Sequence, residues 1–315
     1  MTGVGGEAVV LVAHGTVDAL DDLPEFLRNI RRGHAAPPEL IAEVRRRYEA
    51  IGGRSPLNAI NRDLAGRLEA RLGVEVRLAN RLFRPYPKDV VSELAARGVR
   101  RIFVIPLAQH SAPVYDAAVR EAAKELDVEV ICAPNWGRIP ELTKAFAEVV
   151  REAFTKIPPA EGDRTSLVLT AHSLPLSIIE AGDPYEQEVR GSADDVAAAV
   201  TARGAAFTGH TVAFQSQGMS TDARGKPMAW LGPDLKATLE ALAQQRKKHV
   251  VIAPIGFLAD HVEILYDLDI EAKAWAEELG MVLVRSASLN AGDSLVDALT
   301  AVARSIGAAF HSDKP

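Results

Sequence analysis

Two stretches of the chain carry groups that could move protons. In LVLTAHSLPLSIIEAGDPY, residues 167–185, an apolar run ends on His172. In APIGFLADHVEILYDLDIE, residues 253–271, a second run ends on Asp260, His261, Glu263, Asp267, Asp269 and Glu271. A neutral imidazole, with an ordinary pKa of ~6.5, accepts protons near neutral pH, and carboxylates can pass them on. Carboxylates can also guide a hard or borderline cation. Read as one helix, the second stretch places Glu263, Asp267 and Glu271 at i, i+4 and i+8, in an acidic row along one face. A solvated helix face is the plainer reading of such a row. Its start at the end of a buried strand favours a track for cations or protons leading toward His172. For His172 the plainer reading is a core imidazole bonded to a backbone carbonyl, and both readings stand at this point.

Positive charge gathers near the N-terminus. Arg31 and Arg32 lie in NIRRGHAAPPE, and Arg45, Arg46 and Arg47 in VRRRYEAIGGRSPL. Helix-surface charge is the plain explanation; bidentate recognition of a carboxylate is the functional one. Gly52-Gly53, ahead of Arg54-Ser55-Pro56, allows a close turn that presents Ser55 and backbone N–H groups to an anion. There is no GxxxxGK[ST] phosphate loop, no GxGxxG after a strand, no GxSxG nucleophile elbow and no zinc-type spacing. The single cysteine, Cys132 in VEVICAP, can form no internal disulfide and cannot hold an iron–sulfur cluster, and it reads as a core residue. His34 and His311 read as exposed; His210 and His249 open strands and receive no role.

The elements that must position these groups follow from the apolar pattern. Unbroken β-branched runs at 8–13, 74–79, 101–107, 128–133, 166–171, 210–216, 249–255 and 281–286 alternate with amphipathic stretches. The latter predict helices over 39–50, 57–72, 87–97, 115–126, 139–155, 191–203, 234–246, 261–279 and 292–309. That alternation is the pattern of parallel sheets covered on both faces. The strands fall into two groups of four that resemble each other. VLVAHGT (10–16) echoes VLTAHSL (168–174), and FVIPLAQHSAPVYD (103–116) echoes VIAPIGFLADHVEILYD (251–267). We expect two similar α/β halves, 1–160 and 161–315, joined near TKIPPAEGDRTS (155–166), with the C-terminal helix packing back on the first half. His14, His110, His172 and His261 all sit at the carboxyl ends of strands, where open α/β sheets bind ligands, and two facing halves would gather them around one cleft.

The bulk numbers agree with such a protein. The chain has 315 residues, 48% hydrophobic and 25% charged, with a net charge of −6, which argues against nucleic acid as a partner. No run approaches the ~18 apolar residues of a membrane span, and the N-terminus has no basic n-region of a signal peptide. The expectation is a soluble, cytoplasmic protein in a reducing compartment.

Four motifs then carry a resemblance. RYEAIGGRSPL (47–57), TAHSLPLSIIEAGDPY (170–185), FQSQG with WLGPDL (214–218, 230–235) and PIGFLADHVEILYDLDIEAK (254–273) resemble ferrochelatases. These enzymes, lyases of heme synthesis, insert ferrous iron into a porphyrin. The resemblance runs over nearly the whole chain. It implies two flavodoxin-like, chelatase-type domains, each with a four-stranded parallel sheet flanked by helices, and porphyrin in the cleft between them. It implies His172 as proton acceptor and metal ligand, with Glu263 as its acidic partner. Asp267 and Glu271 would hold a second, regulatory or delivering, divalent metal, with Arg47 facing it. NIRRGHAAPPELIAEVRRRYEAIGG is most similar to the bacterial coproporphyrin III enzymes, which makes Arg31, Arg32, Ser55 and Tyr115 the expected propionate contacts. The resemblance departs at His14, where that subgroup commonly has a tyrosine; the imidazole could ligate iron from the face opposite His172 or simply pack there. A longer loop, 217–229, has no readable role. Porphyrin and ferrous iron are the expected substrates. No tightly bound cofactor and no iron–sulfur cluster are expected, and other heme-pathway enzymes are expected as transient partners. Protoporphyrin IX is the alternative porphyrin. A cobalt or nickel chelatase for a sirohydrochlorin-type ring and a non-catalytic heme or metal carrier are the more distant alternatives.

Overall fold

A computed structural model describes residues 6–218 and 228–308. Most of the loop 217–229, together with His311, therefore lies outside the described residues. Eight strands form two sheets: β1 Glu7–Ala13, β2 Val76–Asn80, β3 Arg101–Pro106 and β4 Glu129–Cys132 in the first, and β5 Thr165–His172, β6 His210–Gln215, β7 His249–Ala253 and β8 Val282–Arg285 in the second. The helices are α1 Leu23–Ile30, α2 Pro38–Ala50, α3 Leu57–Leu72, α4 Pro87–Ala96, α5 Ala112–Ala123, α6 Pro140–Phe154, α7 Leu176–Glu180, α8 Tyr185–Ala202, α9 Leu235–Gln244, α10 Val262–Leu265, α11 Lys273–Glu278 and α12 Asp293–Ser305.

Both sheets are four-stranded and wholly parallel. Their orders, β2-β1-β3-β4 and β6-β5-β7-β8, are the same order repeated. The central strands are apolar on both faces because helices cover both: Ala8 to Val12 and Leu167 to Leu169 are fully buried. In each sheet the strand order reverses between the first strand and the third, so the crevice for a ligand opens at the carboxyl ends of β1 and β3, and of β5 and β7.

The duplication, however, is not cut at residue 160. One compact unit comprises Met1–Trp136, Ala259–Val262 and Asn290–Pro315, and the other Gly137–Leu258 and Glu263–Leu289. The expected junction at 155–166 rested on its Pro, Gly and charge content. The packing of α6 decides otherwise: its apolar face, with Leu142, Phe146 and Val150 buried, lies against β7, β8 and α8. In turn α12 packs on α3 and β3 of the first unit.

Local signals account for several element ends. Asp234 caps α9, its carboxylate accepting from the Ala237 N–H at 2.9 Å. Prolines open α2, α4, α5 and α6, where a missing N–H costs nothing. The helix expected over 261–279 is broken. The ordinary ladder stops at Leu265, and the Tyr266 carbonyl accepts from both the Ile270 and Glu271 N–H groups. From there Asp267–Ala272 runs as a π-helix before α11 resumes α geometry. Helix α1, just ahead of Arg31, was not anticipated.

Candidate active site

The end of β5 is tied down on all sides. The Ser173 N–H donates to the Gln215 carbonyl at 2.7 Å, its hydroxyl to the Leu231 carbonyl at 2.8 Å, and the Tyr185 hydroxyl to the His172 carbonyl at 2.8 Å. His172 Nδ1 lies 2.5 Å from the Ser173 carbonyl. A carbonyl only accepts, so Nδ1 carries the proton. In the neutral ring Nε2 then holds the lone pair. That nitrogen faces Glu263, with Oε1 at 3.6 Å. The two plain readings of His172 thus coexist: one nitrogen is satisfied by the backbone, the other is aimed at a carboxylate.

A glycine makes this approach feasible. The Gly256 N–H donates to the Thr170 carbonyl, and a Cβ at Gly256 would sit 2.5 Å from the Ala171 Cβ and 2.6 Å from its Cα. Only glycine lets the loop after β7 lie this close to the end of β5, bringing α10 and Glu263 beside His172. From β6, Gln215, which pairs in register with His172, donates its amide to the Glu263 carbonyl at 2.8 Å.

The charges act on the imidazole in opposite directions. Burial is the largest single influence and lowers its pKa. The charge and hydrogen bond of Glu263, the Ser173 carbonyl and the charge of Asp267 together outweigh it, and the pKa of His172 is raised above the ordinary imidazole value.

The carboxylates that follow Glu263 differ in their surroundings. Asp267 is buried and accepts from the Ser216 hydroxyl at 2.6 Å. Asp269 forms a two-pronged pair with Arg285, at 2.6 and 2.9 Å. Glu271 is half-buried on the π-helical turn. Among the described residues no group of three or more His, Cys, Asp or Glu side chains is arranged to hold a metal ion. Asp267 and Asp269 are thus held by separate partners.

The first unit carries a different cluster at the equivalent place. His14, exposed, ends the run after β1, and its Nδ1 lies 3.4 Å from the Tyr115 hydroxyl on α5. The Arg81 guanidinium sits over the Tyr115 ring, 5.8 Å from its centre, and Phe26 meets the His14 ring edge-on. Arg81 was not singled out from sequence; nothing periodic marks it, and only its place one residue beyond β2 could have done so. Gly15 has φ +84°, and a Cβ there would lie 2.6 Å from that of Asn80.

The remaining expected contacts lie on α2, at the start of α3 and just after α1. Arg47 pairs with Glu43 one turn earlier at 2.9 Å. Ser55 is buried, and its hydroxyl accepts from the Leu57 N–H at 3.4 Å at the start of α3. Arg31 closes α1 half-buried, and Arg32 follows it exposed, in a left-handed turn with φ +54°. Cys132 is half-buried beside Asp116, and burial with that carboxylate pushes its thiol far up, which makes it an inert packing group. No described helix is long and apolar enough to cross a membrane.

Known proteins resemble this chain. A family model described as Ferrochelatase matches residues 6–306. A ferrochelatase of Acidobacterium capsulatum is 38% identical, over 95% of this chain and 94% of its own length. A coproporphyrin III ferrochelatase of Geobacillus kaustophilus is 36% identical, over 93% and 94%. Among solved structures, SirB from Bacillus subtilis with Fe3+ superposes with a TM-score of 0.58 at 16% identity, covering 96% of both chains, a likeness of fold alone.

Proposed function

Because the chain belongs to the ferrochelatase family, whose enzymes insert metal into a porphyrin, we propose that it inserts ferrous iron into coproporphyrin III, with His172 and Glu263 as the working pair. The observation that carries the mechanism is the 2.5 Å approach of His172 Nδ1 to the Ser173 carbonyl. The Nδ1 proton is committed to the Ser173 carbonyl, which leaves Nε2 as acceptor with Glu263 at 3.6 Å. A pyrrole N–H is a weak acid, and water is a poor base for it. Nε2 takes each of the two protons in turn, and Glu263 stabilises the imidazolium and relays the proton outward. Removing the protons bares the nitrogen lone pairs for iron, and the same Nε2 can ligate the metal as it enters. Asp267 and Glu271, further along the π-helical segment, supply negative charge that draws Fe(II) toward the pair and can hold a regulatory divalent ion.

The choice of coproporphyrin III rests on its extra propionates. Cationic groups for them stand in the first unit: Arg81 over Tyr115, and Arg31 and Arg32 after α1. Coproporphyrin III ferrochelatases at 32–36% identity support this choice, and the plain ferrochelatase at 38% keeps protoporphyrin IX as its competitor. Anaerobic steady-state kinetics with Fe(II) and each porphyrin decide it. A higher kcat/KM for coproporphyrin III is expected; an equal or higher value for protoporphyrin IX would overturn the substrate, and absence of metalation with both would overturn the activity.

A further inference from the structure

The imidazole at the end of β5 stands beside the peptide that joins His172 to Ser173, and both ends of that peptide are held. A trans peptide points its C=O and its N–H to opposite sides. The Ser173 N–H donates to the Gln215 carbonyl at 2.7 Å, on the β6 edge of β5. The His172 carbonyl therefore points to the β7 edge, as does that of Thr170 two residues earlier. Thr170 is served there, its carbonyl accepting from the Gly256 N–H at 2.9 Å. β7 itself ends at Ala253, and the His172 carbonyl lies beyond the ladder. Its donor is the Tyr185 hydroxyl, 2.8 Å away, from the first residue of α8. Tyr185 is only 6% exposed, and a buried carbonyl or hydroxyl left without its partner is costly. The tyrosine is itself set in place by Asp183, whose carboxylate accepts from the Tyr185 N–H at 2.9 Å.

We propose that Tyr185 is a positioning residue for the base, its hydroxyl holding the His172–Ser173 peptide in the orientation that keeps the Ser173 carbonyl against His172 Nδ1. The proposal rests on the iron-insertion reading above. Tyr185 acts through His172 in this role and touches neither porphyrin nor iron. The Ser173 carbonyl lies 2.5 Å from Nδ1 and selects the tautomer with Nε2 open. A hydroxyl that fixes this peptide thus fixes which ring nitrogen can take a pyrrole proton. Without it the peptide keeps only its bond to Gln215 and can rock about that end, so that the ring proton divides between the two nitrogens. The expected signature is a loss in the proton-transfer step with unchanged use of either substrate.

The test compares Tyr185→Phe with Ser192→Ala, each in the full chain. Ser192 lies two turns further along α8, and its buried hydroxyl donates to the Gly137 carbonyl at 3.1 Å, so both variants delete a buried hydroxyl–carbonyl bond from the same helix. The melting temperature should fall by about 1–3 °C in both. Anaerobic metalation kinetics should separate them. In Tyr185→Phe we expect kcat to fall about tenfold, with KM for Fe(II) and for porphyrin within about twofold of the parent; in Ser192→Ala kcat should stay within about twofold. Nitrogen NMR of the neutral His172 ring, read without substrates, should show the proton on Nδ1 in the parent and in Ser192→Ala, and shared between both nitrogens in Tyr185→Phe. A parental kcat in Tyr185→Phe, an equal loss in Ser192→Ala, or an unchanged His172 tautomer overturns the positioning role while the parent's activity leaves the iron-insertion reading standing. A parent that metalates neither porphyrin overturns that reading, and the tautomer comparison still decides whether Tyr185 positions the ring.

Discussion

The same four-stranded sheet occurs twice, and each copy delivers a histidine after an Ala at the end of its first strand, His14 just beyond β1 and His172 as the last residue of β5. What surrounds the two rings differs. His172 is pinned through Nδ1 to the next residue's carbonyl and faces a carboxylate with Nε2. His14 is exposed and meets a tyrosine hydroxyl through Nδ1, with Arg81 over that tyrosine. One copy gathers bases and negative charge, the other an aromatic surface with positive charge. A duplicated fold sets where a histidine stands; the residues after the strand decide which nitrogen is free and what it faces.

The largest test of this contrast is the paired removal of both rings. His172→Ala should lower kcat about 10²- to 10⁴-fold, the range of a lost general base, while porphyrin still quenches or shifts its absorbance on binding. His14→Ala should cost less than about tenfold, mostly in porphyrin KM. Equal losses in kcat for the two variants would break the division of labour between the sheets.

Glu263→Gln probes the electrostatic half of the contrast and should lower kcat roughly 10²-fold, since an amide keeps the shape without taking a proton. It also has a signature independent of turnover. Burial lowers the His172 pKa, and Glu263 is the chief group raising it, so the variant's imidazole should titrate lower than the parent's by proton NMR. The sign carries over to stability. A histidine whose folded pKa is raised stabilises fully below the unfolded value of ~6.5, and that contribution is lost as pH rises through the folded value. The parent's advantage over the variant at His172 should shrink across that window. An imidazole pKa that stays put or rises in Glu263→Gln contradicts the assignment.

Next come the two glycines that permit close approach. Gly256→Ala forces a methyl against Ala171, whose Cα cannot move aside, and should cost about 1–3 kcal/mol of stability by urea unfolding and also lower kcat, because the end of β5 carries His172. Ala171→Gly on top of it should restore part of both. Gly15→Ala combines a left-handed φ with contact to Asn80 and should destabilise comparably, yet leave kcat nearer the parent. If Gly15→Ala damages kcat more than Gly256→Ala, the base is not where the contrast puts it.

The parts of this picture that a sequence shows are those with a period. Eight apolar runs at strand spacing, and the repeated Ala-His and Tyr-Asp endings, are enough to read two parallel sheets; they leave His172 open between a packed and a working imidazole, and its pairing with Glu263 is what the ferrochelatase resemblance implies. What hides is whatever depends on tertiary contact. The i, i+4, i+8 spacing of Glu263, Asp267 and Glu271 reads as one α-helical face, but the Tyr266 carbonyl accepts from residues 270 and 271 and the segment opens into a π-helix. Pro and Gly content marks 155–166 as a junction, while the apolar face of α6 commits it to the second unit, moving the break to 136/137. Arg81 has no sequence signal because its place over an aromatic ring depends on a residue 34 positions on.

The smallest expected effect concerns Arg32 and the porphyrin. The arginine is exposed, in a left-handed turn after α1, and a carboxylate contact there is screened by water and salt. Arg32→Gln keeps the length and the backbone demand but removes the charge. It should lower kcat/KM for coproporphyrin III by no more than about fivefold, the upper end for an exposed ion pair, and by less for protoporphyrin IX, which has fewer carboxylates to lose a partner. Raising the ionic strength from about 0.05 to 0.5 M should shrink the coproporphyrin effect toward nothing. Kinetics on both porphyrins at both salt concentrations check this. A loss above tenfold that persists at high salt would mean that the arginine becomes desolvated against a propionate. The cationic surface of the first unit would then select the substrate by a specific contact rather than by charge alone.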